Sequence, residues 1–470
     1  AYFLAGQALQ QLGRYEEAIQ SYDVVIDQFP GDSGLGAAWL AKAGAVAASG
    51  GDGPAVYQAF AAAHPDDASA PEALWLAATS LERARDWPRA GLAYRELRAG
   101  YPGHQRAAEA FFREGLCAYA AGDLTAATTV WTESLDAGRS ADERARLYVW
   151  LGLAADKHGE RDAAMRAWEQ ARSASPTYYY GLRARDLLAG ISPTLPAGQD
   201  GALPDTTVDA AEWQELAGWV AGWAAAAEGG ATDLSRHPLA LRGRAYLALG
   251  WHNDAVAAYR ALLDAVKDDP HGLLALTRES DARGLHAVTL SCANRLRTLG
   301  REAGAAEAPD ALWGLSYPTT YGHLVTSECS RRDVDPLLFL ALTRQESGFD
   351  AEAVSYAGAT GLTQVMPATG SDIARSLGES NYRPAILTRP SVSVRYGVYY
   401  LAMLLDRYDR DWIMALVGYN AGPGNVQRWT GGEPVRDHDL FYETLPLQQP
   451  QDYIRLIYQN YSTYVALYRK

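Results

Sequence analysis

The chain of 470 residues is too long for a single hydrophobic core and calls for two or more domains or a repeat array. With 48% hydrophobic and 21% charged residues it has an ordinary globular composition, and no run of about 18 apolar residues is present to span a bilayer. A formal charge of −14 argues against a nucleic-acid partner, which needs a basic face. The excess acidity lies mostly upstream of Asp310, because the stretch from there to Lys470 carries 14 basic and 17 acidic residues. Cys117, Cys292 and Cys329 form no ligand spacing, their odd number excludes a complete disulfide framework, and the nine histidines do not cluster. No metal and no cofactor is expected. The chain opens on Ala1, which reads as a removed signal peptide or a truncated N-terminus.

In chain order, a repeat comes first. Gly13, Tyr15, Ala18, Tyr22 and Pro30 recur in part as Tyr57 and Pro65, as Ala90, Tyr94 and Pro102, as Gly122, Ala127 and Trp131, and as Gly159, Ala164, Trp168 and Pro176. Gly250, Ala255 and Tyr259 repeat the pattern further on. A period of about 35 to 37 residues, with a turn glycine, a small alanine, an aromatic one turn later and a closing proline, looks like tetratricopeptide-type helical pairs. Such units cannot bury their apolar faces alone and stack into a solenoid. The expected organisation is all-α: a helical-repeat solenoid over 1–190, a Pro/Gly-rich linker over 191–208, a second helical-repeat segment over 209–309 and a further α-rich domain over 310–470. An array of this kind is, taken alone, a protein-binding scaffold, and protein partners are expected on that ground.

The last domain carries the chemistry. Asp335 followed by Pro336 is a helix start, and Leu337, Leu338, Leu340 and Leu342 mark a buried helix that ends on Glu346. A carboxyl at a helix C-terminus among apolar neighbours is held protonated near neutrality, the state of a general acid. A solvated surface glutamate in a Glu-Ser-Gly turn is the plainer reading of Glu346 in isolation. Downstream, Gly358, Ala359 and Gly361 allow close backbone approach, and Gln364 and Met366 are expected on one side of an extended segment. Tyr419 and Asn420 end another apolar helix before a Gly-Pro-Gly loop, placed either to bind a sugar or to close a turn.

Five ordered motifs then resemble the catalytic domain of the soluble lytic transglycosylases, a lysozyme-like family that cleaves peptidoglycan: ESGF, SYAGA, GLTQVMP, GVYYL and YNAGPG. The resemblance implies a lysozyme-like fold for 310–470 and Glu346 as the sole catalytic acid/base. It also implies that Ser355, Gln364, Met366 and Tyr419 line a saccharide groove, with Asn420, Glu443 and Tyr453 completing the substrate-binding set. The implied substrate is the peptidoglycan glycan strand, the implied product a 1,6-anhydromuramic end, and the implied location extracytoplasmic. Two departures stand out. Ser393 replaces the family's asparagine ahead of Gly-x-x-Tyr-Leu, and Gln449, Pro450 and Gln451 replace the Glu-Thr-Arg that follows Glu443 to Pro446. Two other readings compete: a goose-type lysozyme in which Asp350 or Asp372 holds a water, and a repeat scaffold that binds peptidoglycan without cutting it.

Overall fold

The computed structural model describes residues 1–136, 138–191, 203–224 and 234–469. Among these the chain is all-α, with isolated bridges from Thr360 to Val354 and Val365 in place of strands. It divides into two compact units, one of 1–191 and 433–448, the other of 192–432 and 449–470. That division differs from the expected boundaries at two points. The segment 433–448 groups with the N-terminal repeats, and residues 209–309 share a unit with most of the domain that follows. Residues 192–202 of the expected linker lie outside the described residues.

In the first unit, helices from Tyr2–Gln11 to Tyr179–Leu188 pack chiefly on their neighbours in the chain. The repeat has a physical basis that the motif only partly displays. Sixteen residues before each of Tyr22, Trp131 and Trp168 stands a glycine, and a Cβ on Gly115 or Gly152 would lie 2.3 Å from the indole of Trp131 or Trp168. The rings therefore fill the space that a side chain on the first helix would occupy, and the two helices meet through a fully buried aromatic. Trp131 Nε1 donates to the Phe112 carbonyl at 3.0 Å, so the indole brings no unsatisfied donor into the core. Gly243 and Tyr259 repeat the arrangement in the second unit, where the added Cβ would meet the ring at 2.6 Å.

The short helix His438–Glu443 completes the first unit. Leu440 packs into the cluster of Phe112, Tyr119, Trp131 and Trp150, and Arg183 grips Asp439 through both oxygens at 2.9 and 2.8 Å. Asp437 caps the helix by accepting from the Leu440 N–H at 2.9 Å and also accepts from the Tyr119 hydroxyl at 3.0 Å.

In the second unit a single core holds Leu216, Tyr259, Leu262, Leu276, Val288 and Leu296 together with Leu312 and Leu315. The expected break between 309 and 310 thus falls inside one core. Described residues of the linker's end are tied down as well, for Thr319 Oγ1 donates to the Pro204 carbonyl at 2.6 Å. Helix Pro336–Glu346 is buried from Pro336 to Thr343. Its cap, Asp335, accepts from the Leu337 N–H at 2.9 Å, and its second oxygen takes the Tyr461 hydroxyl and the Arg469 guanidinium, each at 2.6 Å. The last helix, Gln448–Tyr468, is thereby fastened to the start of the helix that ends on Glu346.

Candidate active site

The abrupt end of helix Pro336–Glu346 follows from backbone conformation. Gly348 at φ 59° and Phe349 at φ 68° are both left-handed, a region that stops an α-helix and costs a bulky residue about 1–2 kcal/mol. Burial of the Phe349 ring offsets that cost. Ser347 then donates to the Leu362 carbonyl at 2.8 Å, pinning the helix end to the glycine-rich loop. In that loop Gly361 has φ +84°, and a Cβ there would lie 2.1 Å from the Leu387 carbonyl oxygen, so no other residue fits.

The expected extended segment is a turn. Gln364 itself lies at φ 48°, and its side-chain amide donates to the Ala353 carbonyl at 3.1 Å and to the Gly361 carbonyl at 2.9 Å. Period-two spacing therefore does not apply between Gln364 and Met366: Met366 caps helix Pro367–Ser376, half-exposed. Ser393, which stands where the resembled family carries asparagine, is buried and contacts the loop. Its hydroxyl accepts from the Thr363 N–H at 3.3 Å, and its carbonyl accepts from Thr363 Oγ1 at 3.1 Å. Likewise the Gly-Pro-Gly stretch is a helix start, Gly422 at φ +81° leading into Pro423–Thr430.

These elements place Glu346 in a cleft of about 840 Å³ lined also by Ser347, Asp350, Ala353, Val354, Ser355 and Gln364. Burial pushes the Glu346 carboxyl up to about 7, opposed by a hydrogen bond that it accepts from the Tyr453 hydroxyl. Burial and the proximity of Glu346 both raise the Tyr453 and Tyr419 phenols, so each remains a neutral donor. The Tyr419 hydroxyl donates to the Thr363 carbonyl at 2.9 Å, and its ring leans on Tyr400 at 5.0 Å. Ser355 closes its own turn, its hydroxyl accepting from the Ala359 N–H at 3.0 Å. Asn420 lies in the last turn of helix Trp412–Ala421.

Glu443 is not among the residues that line this cleft. It belongs to the first unit, where Arg146 Nη2 donates to it at 2.7 Å and the Tyr180 hydroxyl donates to its other oxygen. Conversely, the opposite wall of the cleft comes from a region that carried no site expectation. Helix His252–Val266 presents Asn253, Ala257, Arg260, Ala261 and Asp264, and the neighbouring His252 pairs with Asp350 at 3.1 Å. The spacing 253, 257, 260, 264 is a single helical stripe, legible as such, but nothing in the sequence tells which surface that stripe meets.

Residues 323–441 match the transglycosylase SLT domain family, and residues 1–32 and 238–266 match tetratricopeptide repeats. The chain is 32% identical over 155 residues to a soluble lytic murein transglycosylase of Salmonella typhimurium, a stretch covering 33% of this chain and 23% of that relative. It is 42% identical over 131 residues to membrane-bound lytic murein transglycosylase C of Actinobacillus pleuropneumoniae, covering 26% of this chain and 34% of the relative. By structure it is similar to the 70 kDa soluble lytic transglycosylase of Escherichia coli, with a TM-score of 0.53 at 18% identity over 98% of this chain and 80% of the other. The lytic transglycosylase Slt of Pseudomonas aeruginosa matches with the same TM-score, at 17% identity over 99% and 81%. The all-α fold is therefore the one these solved structures share, and within it residues 323–441 carry the match to the SLT domain.

Proposed function

We propose that the chain is a peptidoglycan lytic transglycosylase of an extracytoplasmic compartment, cleaving the β-1,4 bond between N-acetylmuramic acid and N-acetylglucosamine. The observation that carries this reading is the Glu346 carboxyl, raised by burial to about 7 inside the cleft and so able to hold a proton near neutrality. Glu346 gives its proton to the glycosidic oxygen as the bond from C1 breaks, and the 2-acetamido oxygen of the muramic residue stabilises the developing cation. The C6 hydroxyl then attacks C1 and returns a proton to Glu346, closing the 1,6-anhydro ring. Attack within one sugar gains an effective molarity on the order of 10⁵ M or more, enough to outrun water. Ser355, Gln364, Met366, Tyr419, Asn420 and Tyr453 are proposed to hold the glycan, and Glu443, from its buried place, acts at most as a support.

An ordinary glycosidase would need a second carboxylate. Asp350 is engaged by His252 and by the Glu352 N–H at 3.0 Å. Burial would raise its acidity range, yet those hydrogen bonds outweigh it and hold the carboxyl below its ordinary range. Asp372 is exposed and paired with Arg375 at 3.0 Å. Both features weigh against the lysozyme-like reading. Digestion of purified sacculi in water enriched in oxygen-18 tests the choice: unlabelled anhydro ends, one water lighter than hydrolysis products, are expected. Labelled reducing ends as the main product would overturn the proposal and direct attention to Asp350 and to Asp264 on the facing helix.

Tyr453→Phe supplies a second check. Removing the phenolic donor takes away the interaction that lowers the Glu346 pKa. The alkaline limb of the rate profile, set by loss of the Glu346 proton near pH 7, is therefore expected to move to higher pH. A limb that stays in place or moves down contradicts the assigned hydrogen bond.

A further inference from the structure

We infer that the second helical-repeat segment is half of the substrate site, and that Arg260 on helix His252–Val266 recognises a carboxylate on the stem peptide carried by the glycan; this rests on the transglycosylase reading above. The helix lies in the same compact unit as Glu346 and turns a continuous stripe toward the cleft. Positions 257 and 261 of the stripe are alanines, which leave room for a chain of sugars to lie against the helix, while 260 and 264 carry opposite charges at its edge. Arg260 is exposed, and among the described residues it enters no ion pair and no hydrogen bond within the protein. Its electrostatic neighbour, Asp350, is already satisfied by His252 and the Glu352 N–H. The guanidinium thus keeps its five donors available in a cleft whose facing wall supplies the general acid.

Charge decides what those donors would meet. The glycan backbone of peptidoglycan is neutral apart from the lactyl substituent of muramic acid, and that substituent leads into a peptide bearing free carboxylates. A planar guanidinium matches a carboxylate through two parallel hydrogen bonds. Asp264, one turn further along the stripe and likewise exposed and unpaired among the described residues, suits an amine of the same peptide. The repeat helix therefore reads the substituent while the SLT domain cuts the chain, and glycan stripped of its peptides loses the contact.

The test compares kcat/KM of the full chain on soluble glycan strands bearing stem peptides with that on the same strands after amidase has removed them. The wild type is expected to favour the peptide-bearing strands, and Arg260→Met to lower that preference about tenfold, the size of one lost charge-assisted bidentate pair. Arg260→Lys should retain part of the preference and Arg260→Glu should lose most. A wild type indifferent to the peptide, or an Arg260→Met variant with undiminished preference, overturns the inference. Binding of peptide-bearing strands measured by calorimetry gives the same comparison without turnover. If the wild type cleaves neither substrate, the transglycosylase reading fails, while the binding ratio between wild type and Arg260→Met still decides the role of Arg260.

Discussion

Replacing Glu346 by Gln is expected to reduce turnover of purified sacculi by roughly 10³ to 10⁴, at the upper end of what a general acid contributes, because in the proposed mechanism the same group serves as acid and then as base. The fold should persist. The amide oxygen of Gln still accepts the Tyr453 hydroxyl, and the side chain keeps its volume, so glycan binding remains close to wild type. Stability should respond in a pH-dependent way. A carboxyl whose folded pKa is raised to about 7 is neutral at no cost below its ordinary range near 4.5, and it progressively disfavours the folded state as pH rises from there to about 7, the full cost being reached above that. Wild type and variant are therefore expected to unfold alike at pH 4, to diverge as pH rises from about 4.5 to 7, and to stay apart above that, where the variant is more stable by on the order of 1–3 kcal/mol. Denaturant midpoints across that range provide the measurement. A variant retaining a tenth of the wild-type rate would dismiss Glu346 as the acid, whereas equal pH dependence in the two proteins would contradict its buried, raised state.

The second large effect lies in the first unit. Tyr94 donates to Glu82, Arg113 bridges Glu82 and Glu109, Arg146 bridges Glu109 and Glu443 at 2.7 Å each, and Tyr180 closes the chain on Glu443. Burial by itself would raise the Glu109 carboxyl, but the Arg146 and Arg113 guanidiniums outweigh it and hold it down at about 2. Arg146→Ala leaves two carboxylates facing a cavity, and the expected loss is about 3–5 kcal/mol, the range for breaking a buried pair from one side. Adding Glu443→Gln to that variant should recover part of the loss, since it removes one uncompensated charge. The Arg14 and Glu17 pair is exposed, and Arg14→Ala is expected to leave stability essentially unchanged. Urea midpoints separate these outcomes, and a loss under about 1 kcal/mol for Arg146→Ala would mean that the network carries no net stabilisation. Because the folded pKa of Glu109 is depressed, its contribution is present above the ordinary carboxylate range and fades as pH falls from there toward 2; Arg146→Ala should flatten that acid dependence.

The repeat could be read from the sequence because its determinants are local. An alanine, an aromatic four residues later and a turn glycine are spaced by helix geometry, and Ala18 with Tyr22 or Ala164 with Trp168 occupy the fully buried positions that this spacing requires. The helix ending on Glu346 was legible for the same reason: the Asp-Pro start and the apolar run act within one element. What escaped was set at longer range. The wall formed by Asn253, Arg260 and Asp264 is an ordinary exposed helix face until the SLT domain lies opposite it. The turn at Gln364 depends on two carbonyls that accept its amide, and no pattern of side chains announces a left-handed glutamine. Glu443 carries a family motif, yet its partners Arg146 and Tyr180 lie hundreds of positions upstream.

Assignment of residues 433–448 to the first unit has a consequence for how the chain matures during synthesis. The first 191 residues emerge early and can pair their helices with their neighbours as they appear, but Arg146, Tyr180 and Arg183 lack Glu443 and Asp439 until the ribosome has made most of the second unit. The N-terminal array therefore waits, with its guanidiniums and the aromatic pocket for Leu440 unfilled, through the translation of about 240 residues, roughly 10–50 s at ordinary elongation rates. Closing so long a loop adds only slowly to the entropic cost, so the wait is one of time rather than of equilibrium. The nascent chain is thus most exposed to proteases and to misassociation while its first half is already helical.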